Sequence, residues 1–250
     1  MLFAALTFWL LTAVLAAWGV HRLWCGMSKP RAVNIVLLPG TLVAQLGHVF
    51  GLLITGATVS NTTLYKDDEM GEPGTTQDAR PRIPVIGPIA IGLLPLLACG
   101  GAIFFVARFL GPPVMSGLAE HRAATALPTS VGQFWQFLRD AVTLVEGFVD
   151  AVMASFPGRW TVWVFLYLMI CLTVRMAPFP GYLRGSLGAI VLLGLVSAGL
   201  GAVFPSLSGF VQGGWATLSL TVATLLFLLL VTAGIRGLVS LVQLLVNRAD

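Results

Sequence analysis

Long apolar runs separated by short polar breaks dominate this chain, and the runs are of helical length. Reading them off in order gives spans at 2 to 20, 33 to 57, 83 to 110, 160 to 176, 185 to 205 and 216 to 246. Each approaches or exceeds the roughly 20 apolar residues that an α-helix needs to cross a bilayer core. The last is longer than a crossing requires, so its tail beyond Arg236 is expected to tilt or leave the membrane. The first run lacks a basic leading segment and exceeds the short apolar core of a secretory signal, which makes it a retained first helix.

Two stretches break the pattern. From Thr58 to Arg82 the chain carries Lys66, Asp67, Asp68, Glu69, Glu72 and Asp78 among Gly, Pro and Thr, which is turn chemistry in water. Residues 131 to 156 instead alternate at helical spacing. Val131, Phe134, Trp135, Leu138, Val142, Val145, Phe148, Val149, Val152 and Phe156 fall on one side, and Gln133, Gln136, Arg139, Asp140, Glu146 and Asp150 on the other. That stripe predicts an amphipathic helix lying at the membrane surface or packed over the bundle. The expected architecture is therefore an all-α, polytopic membrane bundle of about six transmembrane helices plus one amphipathic interfacial helix, forming a single domain over 1–250.

Composition removes the soluble alternatives. Hydrophobic residues make up 57% of the chain and charged ones 10%, where a soluble domain carries about a quarter charged residues. The net charge of +4 comes from fourteen scattered Lys and Arg, without the basic cluster that nucleic-acid binding demands. Orientation is undecided when these fourteen are assigned to alternate loops, because seven fall on each side. Only the first hairpin leans one way, with Arg22, Lys29 and Arg31 following helix one, which puts the N-terminus outside. Cys25, Cys99 and Cys171 are far apart and read as small packing residues.

Intramembrane ionisable groups are costly and are functional candidates by default, which directs attention to His48 in the second span. A helix bearing H-E-x-x-H presents two metal-binding imidazoles one turn apart with a Glu as general base. Here the five positions are Ala44, Gln45, Leu46, Gly47 and His48. A methyl group cannot ligate a metal, and a carboxamide has no useful basicity.

The order of features around this helix resembles the site-2-protease-like family of membrane zinc metallopeptidases, in its compact form without an inserted peptide-binding domain. The resemblance runs over roughly residues 33 to 190: "PGT" before the motif helix, "ITGATV" after it, a polar loop with "GEPG", then "IGPIAIGLLPLL", an amphipathic connector, and "WTVWVFLYLMICLTVRMAPFPGYLRGSLG". It implies a third ligand, an Asp, shortly after a proline-containing turn, where "MAPFPGYLRG" places Tyr182. A phenol with a pKa near 10 is a poor metal ligand. The resemblance thus implies a degenerate member with Ala44, Gln45 and Tyr182 at expected ligand or base positions and His48 as a vestigial metal position.

Three functions follow as expectations. The first is a catalytically inactive metallopeptidase-like protein that binds or scaffolds other transmembrane proteins in the bilayer, with no cofactor. The second is an active intramembrane zinc metallopeptidase using an unorthodox set such as His48, Tyr182 and another histidine. The third is a small transporter or channel in which Gln45, His48 and Arg175 line an aqueous path. His21 and His121, near predicted membrane boundaries, are expected to be exposed. The family resemblance implies a bacterial inner membrane.

Overall fold

The computed structural model describes residues 1–56, 59–63, 74–77, 86–156, 160–178, 183–204 and 206–246. Its helices are α1 (Leu2–Met27), α2 (Pro30–Val36), α3 (Leu38–Ile54), α4 (Ile86–Phe109), α5 (Pro112–Gly117), α6 (Val131–Ser155), α7 (Trp160–Val174), α8 (Leu183–Val203) and α9 (Ser206–Val246). The polar loop after α3 contains a feature that its turn residues did not suggest. Val59–Thr63 (β1) and Gly74–Gln77 (β2) pair as a two-stranded antiparallel ribbon, with Val59 opposite Gln77 and Thr63 opposite Gly74.

Among the described residues, four helices are long and apolar enough to cross a membrane: α1, α4, α8 and α9. The α2–α3 pair meets the same test only as a unit bent by 81°, and α7 is apolar but has only 15 residues. The chain is thus an integral membrane type of helical bundle. The bend in the second predicted span has a local cause. Pro39 sits in the first turn of α3, and a proline disfavours helical geometry in the residue before it while offering no N–H to the preceding turn.

Contacts between glycines and neighbouring helices fix the directions of the helices. Gly19 lies on Leu229 and Gly26 on Arg236, while Trp24 Nε1 donates to Thr232 Oγ1 at 3.0 Å, so α1 and α9 run parallel. Gly194 meets Thr7 and Gly201 meets Phe3, which makes α8 antiparallel to α1. Gly47 meets Pro95 and Gly51 meets Ile91, which makes α3 antiparallel to α4. The far end of α4 leads through α5 to residues that dock on the N-terminal half of α1: Trp9 Nε1 donates to the Ala124 carbonyl at 2.9 Å. So α4 opposes α1, and α3 follows it. Between them α2 lies at 81° to α3, with Asn34 at the level of His21. The bent pair therefore starts and ends at the same end of the bundle, where α1 finishes.

The amphipathic helix forms almost where its periodicity predicts it, from Val131 to Ser155. Its start is a reciprocal cap: Ser130 Oγ accepts from Gln133 N, and Gln133 Oε1 accepts from Thr129 N at 2.8 Å. The helix lies across three others in turn. Phe137 stacks on Trp9 of α1 at 5.0 Å, Phe148 faces Phe227 of α9, and Phe156 meets Trp163 of α7 edge-on at 4.6 Å. Only Phe137, Leu144, Gly147, Phe148, Ala151 and Val152 are buried. Val131, Phe134, Trp135 and Val142 face outward beside the charged flank of Arg139, Glu146 and Asp150. Three such faces suit a helix that rests on a bundle at a boundary between apolar and polar surroundings.

Candidate functional site

His48 is buried at the seam of four elements. Around it lie Ile91, Gly92, Pro95 and Leu96 of α4, Met176, Ala177 and Pro178 just beyond α7, and Ser186 of α8, enclosing a cavity of about 10 Å³. That is room for about one water molecule. Two glycines bring the seam together. A Cβ on Gly47 would lie 2.7 Å from both the Leu94 carbonyl oxygen and Pro95 Cα, and one on Gly51 would lie 3.0 Å from Ile91 Cα. Only without those side chains do the α3 and α4 backbones touch.

Pro95 lies inside α4. Having no N–H, it leaves the carbonyl of Ile91, four residues earlier, without its helical partner. The His48 imidazole hydrogen-bonds to the Ile91 backbone. A histidine from α3 thus occupies the place of the missing amide, which is how broken helices are satisfied where no water is at hand. Sequence reasoning singled out His48 as a ligand and missed this use, although Pro95 was visible in "LLPLL".

The other positions of the expected motif contribute no second metal donor. Ala44 is buried one turn before His48, and Gln45 is buried beside it. Tyr182 lies outside the described residues. Among the described residues no group of three His, Cys, Asp or Glu converges in a way that could hold a metal ion. A catalytic zinc takes about three protein ligands, of which the described motif positions Ala44, Gln45 and His48 offer one imidazole.

His21 and His121 are not brought to His48, and neither matches the expectation of an exposed side chain. Both are half-buried. The His121 ring covers Gly147 of α6 so closely that a Cβ there would lie 2.5 Å from the ring. His21 Nε2 is 3.4 Å from Asn34 Oδ1, which also accepts from Arg175 Nη2. This second polar cluster ties α1, α2 and the end of α7 at the elbow of the bent pair. Its remaining members serve the backbone break: Tyr167 Oη donates to the Val36 carbonyl at 2.9 Å, and Cys171 Sγ lies 3.4 Å from the same oxygen. Gly40 permits the approach, because a Cβ there would collide with the Cys171 carbonyl. Asn34 and Arg175 were detectable in the sequence as polar residues in apolar runs, but nothing in their spacing joined them.

Met176 also lines a much larger space. Between α1, α4 and α9 an apolar groove of about 750 Å³ runs past Leu6, Leu10, Phe104 and Trp215, with Gly100, Gly101, Gly213 and Gly214 in its walls. A Cβ added at any of these four glycines would meet nothing within 4 Å. Cys99 and Cys171 are fully buried, and none of the three cysteines is in a disulfide among the described residues. Comparison with known proteins gives no matching family model, no matching curated relative and no matching solved structure.

Proposed function

We propose that this chain is a catalytically inactive, metallopeptidase-like membrane protein that binds or scaffolds other transmembrane proteins. Six elements are embedded in a bacterial inner membrane: α1, the bent α2–α3 pair, α4, α7, α8 and α9. The reading rests on the ordered likeness to site-2-protease-like peptidases, and one observation carries the loss of catalysis. Beside His48, Ala44 and Gln45 stand where a ligand and a base belong, and neither a methyl group nor a neutral carboxamide supplies that chemistry. The cavity around His48 has room for a water but not for a peptide backbone.

The groove between α1, α4 and α9 supports the binding half of the proposal. Paired glycines facing open space lower helix propensity by about 1 kcal/mol each relative to alanine, and they let the backbone of another helix come close. The test is incubation of the purified protein in nanodiscs with transmembrane-helix peptides, with and without a chelator. No chelator-sensitive cleavage is expected, and native gels of gently solubilised membranes should show the chain in assemblies larger than its monomer. Cleavage that His48→Ala abolishes would contradict the first half, and a chain running only as a monomer the second.

A further inference from the structure

The parallel pairing of α1 with α9 gathers cations that the sequence scatters. Arg22 and Lys29 come from the end of α1 and the turn after it, Arg31 from α2, and Arg236 from α9, and all four are exposed. The Arg236 guanidinium lies over Gly26, 3.1 Å from where a Cβ would be. The Arg22 guanidinium sits 5.2 Å above the Trp18 ring. Trp24 is anchored at the same level by Thr232. Cations flanked by tryptophans at the end of apolar helices are the pattern of a membrane–water interface. Among the described carboxylates Asp140 lies at the opposite end, beside Met1 and Ala124, while Glu146 and Asp150 lie along α9 beside Leu230 and Val231.

The directions of the helices divide the other cations too. Arg175, just after α7, and Arg184, at the start of α8, fall where α1 finishes, so among the described residues six Lys and Arg belong to that end and Arg108, Arg122 and Arg139 to the other. A two-to-one excess assigns the α1–α2 end to the cytoplasmic side, where the leaflet is rich in anionic lipid.

We infer that Arg22, Lys29, Arg31 and Arg236 form a docking surface for the phosphate headgroups of anionic phospholipid. Guanidinium groups offer donors in a planar fork that suits phosphate, and the ammonium of Lys29 adds a mobile point charge. The stacking of Arg22 and the packing of Arg236 hold two of the guanidinium groups in place before lipid arrives.

Native mass spectrometry of the full-length protein, released from nanodiscs of equal phosphatidylglycerol and phosphatidylcholine, tests this. Each basic residue near the surface is expected to favour the anionic lipid about fivefold. The wild type should retain phosphatidylglycerol over phosphatidylcholine at least that strongly, and the quadruple variant R22Q/K29Q/R31Q/R236Q should retain the two nearly equally. R122Q, at the other end, should keep the wild-type ratio. Should the quadruple variant fail to fold, Lys29→Gln alone, in a turn outside the helices, should lower the ratio severalfold. Equal retention by the wild type, or an unchanged ratio in the variants, would overturn the inference.

Discussion

Replacing His48 by alanine removes the hydrogen bond that satisfies Ile91 across the α3–α4 seam, and the expected cost is about 1 kcal/mol of stability in detergent. Pro95→Ala restores an amide that can serve the same carbonyl from within α4. The two changes should therefore be non-additive, with the His48→Ala penalty shrinking in the Pro95→Ala background, as a double-mutant cycle by thermal unfolding would reveal. Strict additivity would mean that the imidazole does not act on the proline break. Gly47→Val tests the closeness of the seam, because its branched side chain would be driven into Leu94 and Pro95. A loss of about 2 kcal/mol is expected, and an unchanged melting temperature would show that α3 can move away freely. What the sequence made legible at this scale was which residues are unusual. His48 and Pro95 both stood out in apolar helices, but their partnership depends on two glycines that align the helices in space, and no local spacing encodes that.

Among the elements, α6 was the most legible, because a sustained apolar stripe with a polar flank has one helical solution and its Ser130–Gln133 cap marks where it starts. The second span was the least so. Its apolar run is continuous through Asn34, and hydropathy does not register the bend at Leu37 that Pro39 and Gly40 permit. The bent pair is held by side chains from α7 and α1 that meet at Asn34 and at the Val36 carbonyl. Asn34→Ala takes away the oxygen shared by Arg175 and His21, and should cost about 2 kcal/mol because a hydrogen bond to a charged group is lost. Asn34→Asp keeps an acceptor there and should cost less. Equal effects of the two, by thermal unfolding, would mean that the cluster does not hold the elbow. α9 also exceeded its expected limits, beginning at Ser206 instead of 216. Its 41 residues span about 60 Å, twice the thickness of a bilayer core. From Gly237 to Leu245 its side chains are exposed, in keeping with a tail that needs no burial within this chain.

For the whole molecule, helix directions make a claim about the membrane that hydropathy alone left open. With Cys25 replaced by serine and Cys99 and Cys171 already buried, single cysteines at Ser28 and Asp68 should react with an impermeant thiol reagent from the same side of sealed vesicles. One at Ser130, at the start of α6, should react from the other. Labelling of positions 28 and 68 from opposite sides would make α2–α3 a full crossing. The membrane bundle itself was legible from composition and run length, since no soluble fold tolerates so many long apolar runs. His48 was legible as an ionisable residue in an apolar run, with Ala44 and Gln45 preceding it. Elemental mass spectrometry of the purified protein beside its His48→Ala variant decides whether His48 serves the fold or a metal. Well below one zinc per chain is expected in both. One zinc per chain in the wild type that disappears in the variant would contradict that expectation.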